Sequence, residues 1–361
     1  MNNSKTLENK SCYNVIGVMS GTSLDGIDLA HIHFKIENEK WSYQILESET
    51  VVYTDYWVQT LKNAIHFNTE QLQQLNIEYT QLLASVISSF IKKYHLVNID
   101  AVCSHGHTIL HQPQNKFTLQ IGNLPLLGEL LKHPIVCDFR IQDVLLGGQG
   151  APLVPIGDRI LFSDYDYCLN LGGFSNVSFE QNGQRLAFDI SPVNTVLNFY
   201  ANQLGFTYDN QGKIAKLGKL NIDLLNQLNA IEFYHKTFPK SLGFEFVKDI
   251  ILPLLEKTNL STTDKMHTFI EHIAQQIAKA LPNPKGKMLI TGGGTYNTFL
   301  ISRMQHYLPH LILEIPEAKT IEFKEALIFG LLGVLRLRNE VNVLASVTGA
   351  PYDHCSGIVY N

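Results

Sequence analysis

The sequence predicts an α/β protein built from two domains of like topology. Its 361 residues are 45% hydrophobic and 17% charged, which suits about two domains of roughly 100–200 residues each. Two passages, beginning near residues 14 and 165, each predict a strand, a small-residue turn, two further strands and a helix. Residues 147–157 are dense in glycine and proline and predict a crossing between domains. We expect an N-terminal domain over residues 1–140 and a C-terminal domain over 141–361, whose last helix is a candidate to pack on the first domain.

The first passage opens with a predicted β-hairpin. The apolar runs NVIGVM (14–19) and IDLAHIHF (27–34) are joined by small and polar residues that favour a turn. WSYQILESETVVY (41–53) predicts a third strand, and apolar residues at helical spacing predict a long amphipathic helix within 55–95. Three further elements complete this half: a strand at 101–106 that ends in a loop, a helix at 123–132 and a strand at 134–139.

The second passage repeats this order without a residue-level repeat. YDYCLNLGGFSNVSFE (165–180) predicts a strand, a glycine turn and a strand, and RLAFDIS (185–191) a third strand. The remaining predicted elements are a helix at 192–205, a mostly helical region at 209–270, a strand, glycine turn and helix at 287–308, and an apolar helix at 322–338.

Composition excludes several classes of protein. The net charge of −5 gives no electrostatic case for binding nucleic acid. The five cysteines lie singly, without C-x-x-C spacing, so zinc and dithiol redox sites are disfavoured and a reducing compartment is favoured. The polar start lacks the apolar core of a signal peptide, and no apolar run approaches the roughly 18 residues of a membrane span. We therefore expect a cytoplasmic protein without a membrane partner.

Three glycine-rich turns are candidate ligand sites. In GVMSGTSLDGID (17–28), Gly21 and Gly26 let backbone N–H groups approach a ligand, and such a turn can bind phosphate. Asp25 and Asp28 disfavour phosphate there unless a metal ion or water lies between. The absence of a following lysine excludes a Walker-type loop. The turns at 172–176 and 292–297 repeat the pattern, which favours a triphosphate held by both halves; ordinary tight connections are the alternative.

Polar side chains near predicted strand ends are the other candidates. Asp189 lies between Phe188 and Ile190, where a carboxylate can have a raised pKa and act as a base; a carboxylate bonded to turn backbone is the alternative. Residues 104–108, SHGHT, offer polar contacts to a small ligand, and no third ligand supports a metal. Asp138 and Arg140 could pair with each other or with a ligand.

Together these stretches resemble the anhydro-N-acetylmuramic acid kinases, a branch of the hexokinase/Hsp70/actin superfamily. The resemblance runs from about residue 14 to residue 350 and rests on motifs in the family's order. They are GVMSGTSLDGID, CSHGHT, FTLQIGN, DFRIQDVLLGGQGAPLVPIGD, NLGGFSNVSF, FDISPVN, PKSLG, TGGGTYN and SVTGA. The resemblance implies two actin-like (ribonuclease H-like) α/β domains around a central cleft for nucleotide and sugar, with ATP and Mg²⁺ as cofactors.

The resemblance also implies roles for individual residues. The catalytic aspartate of the family falls on Asp189, which would deprotonate a water. The implied ATP-binding residues are Gly21, Thr22, Ser23, Leu24, Asp25, Gly26, Ile27, Asp28, Gly172, Gly173, Gly292, Gly293, Gly294 and Asn297. Thr108, Arg140 and Glu325 match positions on the sugar side; for Glu325, a first-turn acid favoured by the helix dipole is the alternative. Metal ligands are not identified, and a homodimer is left open.

Three motifs depart from the family's pattern, mainly on the sugar side, and one of them is a D-x-D-G-like turn that appears here as DNQG (209–212). F-D-x-G-P-G-N becomes FDISPVN, with Ser191 and Val193 in place of glycines, and S-T-G-R-E-x-F becomes SLGFEF, with Phe244 in place of arginine. The first hypothesis is an ATP-dependent kinase that couples hydrolytic opening of 1,6-anhydro-N-acetylmuramic acid to its 6-phosphorylation. The alternatives are a kinase of another anhydro sugar, such as levoglucosan, and a catalytically weak regulator that binds nucleotide and sugar.

Overall fold

The computed structural model describes residues 10–21 and 23–361, and these residues form two compact units. Unit 1 takes the described residues through Leu161 together with Phe323–Asn361, and unit 2 is Phe162–Glu322. This division differs from the expected boundary after residue 140, because the residues that follow it still pack in unit 1. None of the described helices is long and apolar enough to cross a membrane.

In each unit three consecutive strands come first, and helices separate most of the later strands. The strands are β1 Cys12–Ser20, β2 Ile27–Glu37, β3 Lys40–Val51, β4 Ala101–Gln112, β5 Phe117–Ile121, β6 Ile135–Cys137, β7 Tyr167–Leu171, β8 Phe174–Gln181, β9 Gln184–Pro192, β10 Gly286–Thr291, β11 Leu311–Glu314 and β12 Ile358–Tyr360.

The α-helices range from single turns to one of 25 residues. They are α1 Asp55–Asn63, α2 Thr69–Lys93, α3 Leu126–Leu131, α4 Ile141–Leu145, α5 Val154–Leu161, α6 Asn194–Gln203, α7 Lys213–Lys216, α8 Ile222–Asn229, α9 Phe244–Phe246, α10 Leu252–Glu256, α11 Thr262–Ala280, α12 Thr298–Tyr307, α13 Ala318–Leu337 and α14 Ala345–Thr348. A π-helical turn, Val247–Ile251, joins α9 to α10.

Both units contain a sheet with the same strand order, which confirms the predicted fold class. In unit 1 the order is β3-β2-β1-β4-β6-β12, with β5 paired to β4. In unit 2 it is β9-β8-β7-β10-β11. In each sheet the first three strands in sequence are antiparallel, and the next two in the sheet order pair in parallel. The shared order agrees with the two passages of like topology that the sequence predicts.

Each sheet is covered by a long amphipathic helix. In unit 1, α2 begins at an Asn68 capping box and buries an apolar stripe that includes Leu83 and Ile87 against the sheet. In unit 2, Ser261 caps α11, and Phe269 enters the same core as Leu169 of β7. The apolar residues that predict these helices are therefore the ones that form the two cores.

Helix α13 packs unusually close to the sheet of unit 1, because small residues meet at the contact. A Cβ on Gly17 of β1 would lie 2.0 Å from the Ala326 carbonyl oxygen, and one on Gly333 would lie 2.1 Å from Cys103 Sγ. Only glycine permits this approach. The close packing fixes the helix that carries Glu325 to strands β1 and β4.

Several predicted boundaries are wrong in detail. The predicted helix at 55–95 is two helices, separated by a 3₁₀ turn at Ala64–His66. The strand predicted to end at residue 106 continues to Gln112, so SHGHT lies in a strand and not in a loop. Its continuation pairs with β5, and the sequence pattern did not predict strands β5, β11 and β12. Each missed strand has five residues or fewer and lies outside the echoed passages.

Because α13 packs tightly on the sheet of unit 1, one added methyl group at this contact should lower the free energy of unfolding. Gly333→Ala should destabilise the protein by about 1–3 kcal/mol, because the Cβ overpacks a buried contact. Gly128→Ala is the matched control, since this helical position offers ordinary 3.4 Å contacts and alanine favours helix. Urea unfolding followed by circular dichroism measures both. Equal stability of the two variants would mean that α13 does not need glycine against β4.

Candidate functional site

Parallel pairing brings the candidate loops together within each unit. The carboxyl ends of parallel neighbours lie at one sheet edge, where α/β proteins bind ligands. In unit 1, Ser20 at the end of β1 pairs in register with His107 on β4. In unit 2, Asn170 of β7 pairs with Thr291 of β10, so the turns that follow these strands are neighbours.

The first glycine turn joins β1 to β2 and is tightly constrained at one end only. The Leu24 N–H donates to the Gly21 carbonyl at 3.2 Å. Gly26 has φ +156°, and a Cβ there would lie 2.5 Å from the Val51 carbonyl oxygen. At Gly21 the nearest atom, Ser23 Oγ, is 3.4 Å away, so the fold itself leaves room for a methyl group. Thr22, which the resemblance places with the phosphates, lies outside the described residues.

Two carboxylates of this turn differ in their surroundings. Asp25 is exposed. Asp28 is half-buried on β2, and its Oδ1 accepts a hydrogen bond from Thr50 Oγ1 at 2.6 Å. Asp28 also acts electrostatically on Glu325, where its charge raises the pKa. The structure therefore places Asp28 within electrostatic reach of the predicted sugar-side residue Glu325.

A series of buried hydrogen bonds between side chains holds the start of the turn. Two of these side chains, both tyrosines, were not predicted from the sequence. Ser20 Oγ lies 2.6 Å from Tyr53 Oη and 2.7 Å from His107 Nδ1. Tyr53 Oη in turn bonds to Tyr79 Oη of α2. Burial lowers the pKa of His107 to about 4, so the ring is neutral near pH 7. No local spacing predicts this cluster, because the two tyrosines come from separate elements.

In unit 2, the turn after β7 meets the start of helix α6. The Gly173 carbonyl accepts hydrogen bonds from Val193 N at 2.8 Å and Thr195 N at 3.3 Å. The Gly172 N–H donates to the Phe174 carbonyl, and Gly173 is exposed. A Cβ on Gly173 would lie 2.8 Å from Thr195 Oγ1. The turn and the helix start therefore form one rigid corner.

The triple glycine packs beside this corner. Gly292 has φ +84°, and a Cβ there would lie 2.4 Å from Asn170 Oδ1. A Cβ on Gly294 would lie 2.8 Å from Leu171 Cβ, whereas Gly293 is exposed and has no close neighbour. Asn297 caps helix α12, because its Oδ1 accepts from Leu300 N at 3.0 Å. Because this oxygen already accepts a hydrogen bond within the protein, Asn297 has a structural role in addition to its predicted contact with the nucleoside.

Asp189 is held by the PKSLG segment. Its backbone N–H donates to the Lys240 carbonyl at 3.1 Å, and its Oδ2 accepts from the Leu242 N–H at 2.8 Å. Phe238 stacks on Phe188 at 5.3 Å, which fixes the segment against β9. Among the described residues, none donates to Oδ1. Burial raises the pKa of Asp189 above its usual range, and the Leu242 N–H opposes that shift. The carboxylate is fixed at one oxygen and available at the other.

The two departures in FDISPVN do not break the strand that carries Asp189. Ser191 is buried, and its N–H donates to Ser175 Oγ at 3.2 Å. Val193 is fully buried in the core of unit 2, and its N–H keeps the bond to Gly173. The pairing of β8 with β9 continues to Pro192. Asp189 therefore lies on a paired strand despite the lost glycines, next to a shift in register between Ser175 and Asn176.

Arg140 and Asp138 do not pair with each other. Asp138 accepts from Asn123 Nδ2 at 2.8 Å, and burial raises its pKa to about 6. Arg140 Nε donates to His105 Nε2 at 2.8 Å, and its Nη1 donates to the Gly150 carbonyl at 2.6 Å. The structure therefore assigns the two charges to separate partners.

Arg140 does interact with the third sugar-side candidate, Glu325. Desolvation raises the pKa of Glu325, and the Arg140 guanidinium opposes that shift, although the residue as a whole keeps exposed surface. Glu325 lies beyond a kink at Phe323, so it is not in the first turn of α13. Thr108 lies on β4 near His105, half-buried, and accepts from Gln120 Nε2 at 3.3 Å. The structure thus brings Arg140 and Glu325 together electrostatically and places Thr108 on the strand of Arg140's partner.

Comparison with known proteins identifies sequence similarity over both units. The sequence profile described as "AnmK: Anhydro-N-acetylmuramic acid kinase" matches residues 13–361. The anhydro-N-acetylmuramic acid kinase of Sulfurimonas denitrificans is 31% identical over 96% of this chain and 98% of its own. That of Saccharophagus degradans is 33% identical over 96% and 98%. Among solved structures, component A of (R)-2-hydroxyglutaryl-CoA dehydratase from Acidaminococcus fermentans has a TM-score of 0.46 and 12% identity, over 90% of this chain and 99% of that one.

The resemblance implies that ATP phosphate approaches Gly21, which predicts a variant that loses ATP affinity without losing stability. Gly21→Ala should weaken ATP binding by about tenfold or more, roughly 1.4 kcal/mol, because the methyl group blocks close approach of phosphate. Its melting temperature should match that of the unmodified protein, since the fold leaves room at Gly21. Gly26→Ala is the paired variant and should lower the melting temperature. Calorimetric titration and thermal unfolding measure both effects; unchanged ATP affinity in Gly21→Ala would make this turn an ordinary hairpin.

Proposed function

Because this chain belongs to the anhydro-N-acetylmuramic acid kinase family, we propose that it transfers the γ-phosphate of ATP to O6 of 1,6-anhydro-N-acetylmuramic acid while water opens the anhydro ring. The product is N-acetylmuramic acid 6-phosphate, and the reaction recycles a cell-wall sugar. The surroundings of Asp189 support the chemical step. Its half-buried carboxyl group has a raised pKa, one oxygen is fixed by the Leu242 N–H, and the other oxygen is available to accept a proton.

The reaction needs one proton transfer and two bond exchanges. Asp189 takes a proton from water, and the resulting hydroxide adds to C1 of the sugar. The C1–O6 bond breaks, and its electron pair stays on O6. O6 then bonds to the γ-phosphorus, and ADP leaves. General-base catalysis contributes about 10²–10⁴-fold in rate, and the phosphoryl step depends mainly on positioning and charge stabilisation.

The contacts of Asp189 suit a general base. A base must be ionised before the reaction and must hold the proton during it, so a pKa above that of an ordinary aspartate favours the transfer. Burial raises the pKa of the Asp189 carboxyl, and the hydrogen bond from the Leu242 N–H opposes that rise. The fixed Oδ2 orients the group, and Oδ1 can receive the proton.

We propose that the three glycine turns bind the phosphates and nucleoside of ATP, as the resemblance implies. The exposed glycines, Gly173 and Gly293, adjoin neighbouring strand ends of unit 2. In unit 1, the space at Gly21 is consistent with a backbone that a phosphate approaches. Helix and turn N–H groups are suitable donors to phosphate oxygens.

We propose Mg²⁺ as the companion of ATP. Mg²⁺ is usually bound through one or two carboxylates together with substrate phosphates. Asp25 and Asp28 lie in the first turn and on β2, where they would otherwise repel phosphate. The described residues contain no cluster of three metal-binding side chains, so the proposed site relies on phosphate oxygens as well. When bound, the ion neutralises charge on the phosphoryl group.

Family membership favours this activity over the two alternatives. A regulator that only binds ligands needs no base at Asp189, and the structure keeps that strand paired despite the altered residues. A preference for another anhydro sugar would follow from the loss of arginine at Phe244, which is exposed in unit 2. The curated relatives named above are anhydro-N-acetylmuramic acid kinases, so we propose the muramic sugar as substrate.

The proposal extends to the setting of the enzyme. A cytoplasmic location suits the use of ATP, and the cysteines, all free, suit a reducing compartment. We also propose a homodimer. Unit 2 exposes large apolar side chains close in sequence, which such an assembly could cover. They are Phe206, Tyr208, Leu217 and Ile222. Sedimentation velocity tests this point, and a species at the chain mass of 40.7 kDa alone would contradict it.

Asp189→Asn tests the base directly. Product formation should fall by at least about 100-fold, because the amide cannot accept the water proton. ATP binding should stay within about threefold, about 0.7 kcal/mol, since the side chain keeps its size and needs no charge for the nucleotide. Asp164→Asn, an exposed carboxylate of the same unit, is the control and should keep full activity. Product formation by Asp189→Asn within about tenfold of the unmodified enzyme would remove Asp189 from this role.

The raised pKa of Asp189 predicts the acid limb of the pH–rate profile. The ionised form is active, so kcat/KM should fall as pH decreases through a pKa above the ordinary value of 3.8. Leu242→Pro removes the N–H that stabilises the carboxylate, and it should move the acid limb to higher pH. Leu242→Ala keeps the N–H and should leave the limb in place. An acid limb that coincides in both variants would show that this bond does not control the base.

A further inference from the structure

The Arg140 guanidinium is held on two of its three nitrogens by neutral acceptors. Nε donates to His105 Nε2, and Nη1 donates to the Gly150 carbonyl oxygen. Nη2 donates to none of the described residues, and the side chain is only half-buried. Within the described chain, no carboxylate lies within ion-pair distance of Arg140. The guanidinium is therefore oriented by hydrogen bonds and not by a direct ion pair.

His105 can accept from Arg140 because of its own partner. Its Nδ1 lies 2.9 Å from the Gly106 carbonyl oxygen, which can only accept, so Nδ1 carries the hydrogen and Nε2 the lone pair. The ring is buried and packs on Phe329 at 4.7 Å. Burial and the nearby Arg140 charge hold the pKa of His105 well below its usual range. The neutral ring therefore presents a fixed acceptor to Nε.

The other acceptor, Gly150, is fixed by Asp143. This fully buried carboxylate accepts from Gly150 N at 2.6 Å and from Thr348 Oγ1 at 2.7 Å. A further bond, from Gln149 N to the Thr348 carbonyl at 2.8 Å, ties the same loop to α14. Sequence reasoning missed Asp143 and Thr348 as members of one cluster, although both lie in motifs that carry the resemblance.

We propose that His105 and Asp143 are positioning residues that hold the Arg140 guanidinium group in the orientation in which it binds an oxyanion. The proposal rests on the proposed function, which supplies two such anions: the carboxylate of the muramic sugar and the phosphates of ATP. Arginine can bind a carboxylate or a phosphate through paired N–H groups. Orienting the guanidinium group before binding reduces the conformational entropy that is lost when the ligand binds. Both direct hydrogen-bond acceptors are neutral, so Arg140 forms no ion pair among the described residues that a ligand would have to displace, although Glu325 and Asp143 act on its charge at longer range.

The test of His105 compares two replacements. His105→Phe keeps a ring against Phe329 but removes the acceptor, whereas His105→Gln places an oxygen where Nε2 lies. His105→Phe should raise the KM of the anionic substrate by about tenfold or more, the scale of one hydrogen bond to a charged group. His105→Gln should recover most of that loss. Equal losses in the two variants would overturn the positioning role.

A double-mutant cycle with Arg140→Ala separates positioning from general damage. If His105 acts through Arg140, adding His105→Phe to Arg140→Ala should cost nothing further. Thr348→Val and Thr348→Ser give the same comparison at the Asp143 end, because serine keeps the hydroxyl. Thr348→Val should raise KM only when Arg140 is present. Additive losses in either cycle would contradict the proposal.

The choice of sugar identifies the anion. 1,6-Anhydro-N-acetylglucosamine lacks the lactyl carboxylate of the muramic sugar. If Arg140 binds that carboxylate, His105→Phe should raise the KM of the muramic sugar only. If Arg140 binds phosphate, turnover of both sugars should be impaired and the KM of ATP should rise. Either pattern supports the positioning role, and unchanged KM values for both sugars and ATP would contradict it.

A spectroscopic measurement keeps this test independent of the proposed function. In ¹⁵N-labelled protein, the Arg140 Nε–H resonance, assigned by its loss in Arg140→Lys, should exchange slowly with water. It should remain protected in His105→Gln and exchange rapidly in His105→Phe. Protection that survives His105→Phe would overturn the proposal. Absence of turnover with the muramic sugar and ATP would instead reject the proposed function, while the protection data still decide how Arg140 is held.

Discussion

Parallel pairing of the central strands is the constraint on which the sites depend. β1 pairs with β4, and β7 pairs with β10, so loops that are distant in sequence leave the same sheet edge. A glycine turn follows the first strand of each pair, where backbone rather than side chains can face a ligand. The repeated strand order places this arrangement in both units. The positions of the glycine turns and of the strand that carries His105 follow from those registers.

Charge at the candidate residues of each unit is controlled by burial and by the hydrogen-bond partners of each group. Asp189 is half-buried with a single backbone donor to its carboxylate, so its pKa rises while one oxygen stays available. Arg140 donates hydrogen bonds to two neutral acceptors, and the carboxylates of Glu325 and Asp143 act on its charge without a direct ion pair. A buried charge is costly unless hydrogen bonds satisfy it, and both arrangements meet that condition only in part. The hydrogen-bonding positions that stay unfilled on Asp189 and Arg140 are the ones that a substrate can use.

Much of this organisation could be predicted from local sequence. The four-residue spacing of Tyr79, Leu83 and Ile87 predicts helix α2, because buried positions on a helix follow that period. The family motifs pointed to Asp189 and the glycine turns. The bonds from Ser20 through Tyr53 to Tyr79 could not be predicted, because these side chains meet only through tertiary packing. The short strands β5 and β12 carry too few residues to show a period.

In the proposed reaction, water opens the ring at C1 and O6 receives the phosphate. Turnover of ATP and 1,6-anhydro-N-acetylmuramic acid in ¹⁸O-water, sampled early in the reaction, shows where the oxygen of that water ends. Mass spectrometry should find one ¹⁸O in each product molecule, at C1 of the sugar, with none in the phosphate ester. Label in phosphate, or a phosphorylated sugar without label, would contradict the account.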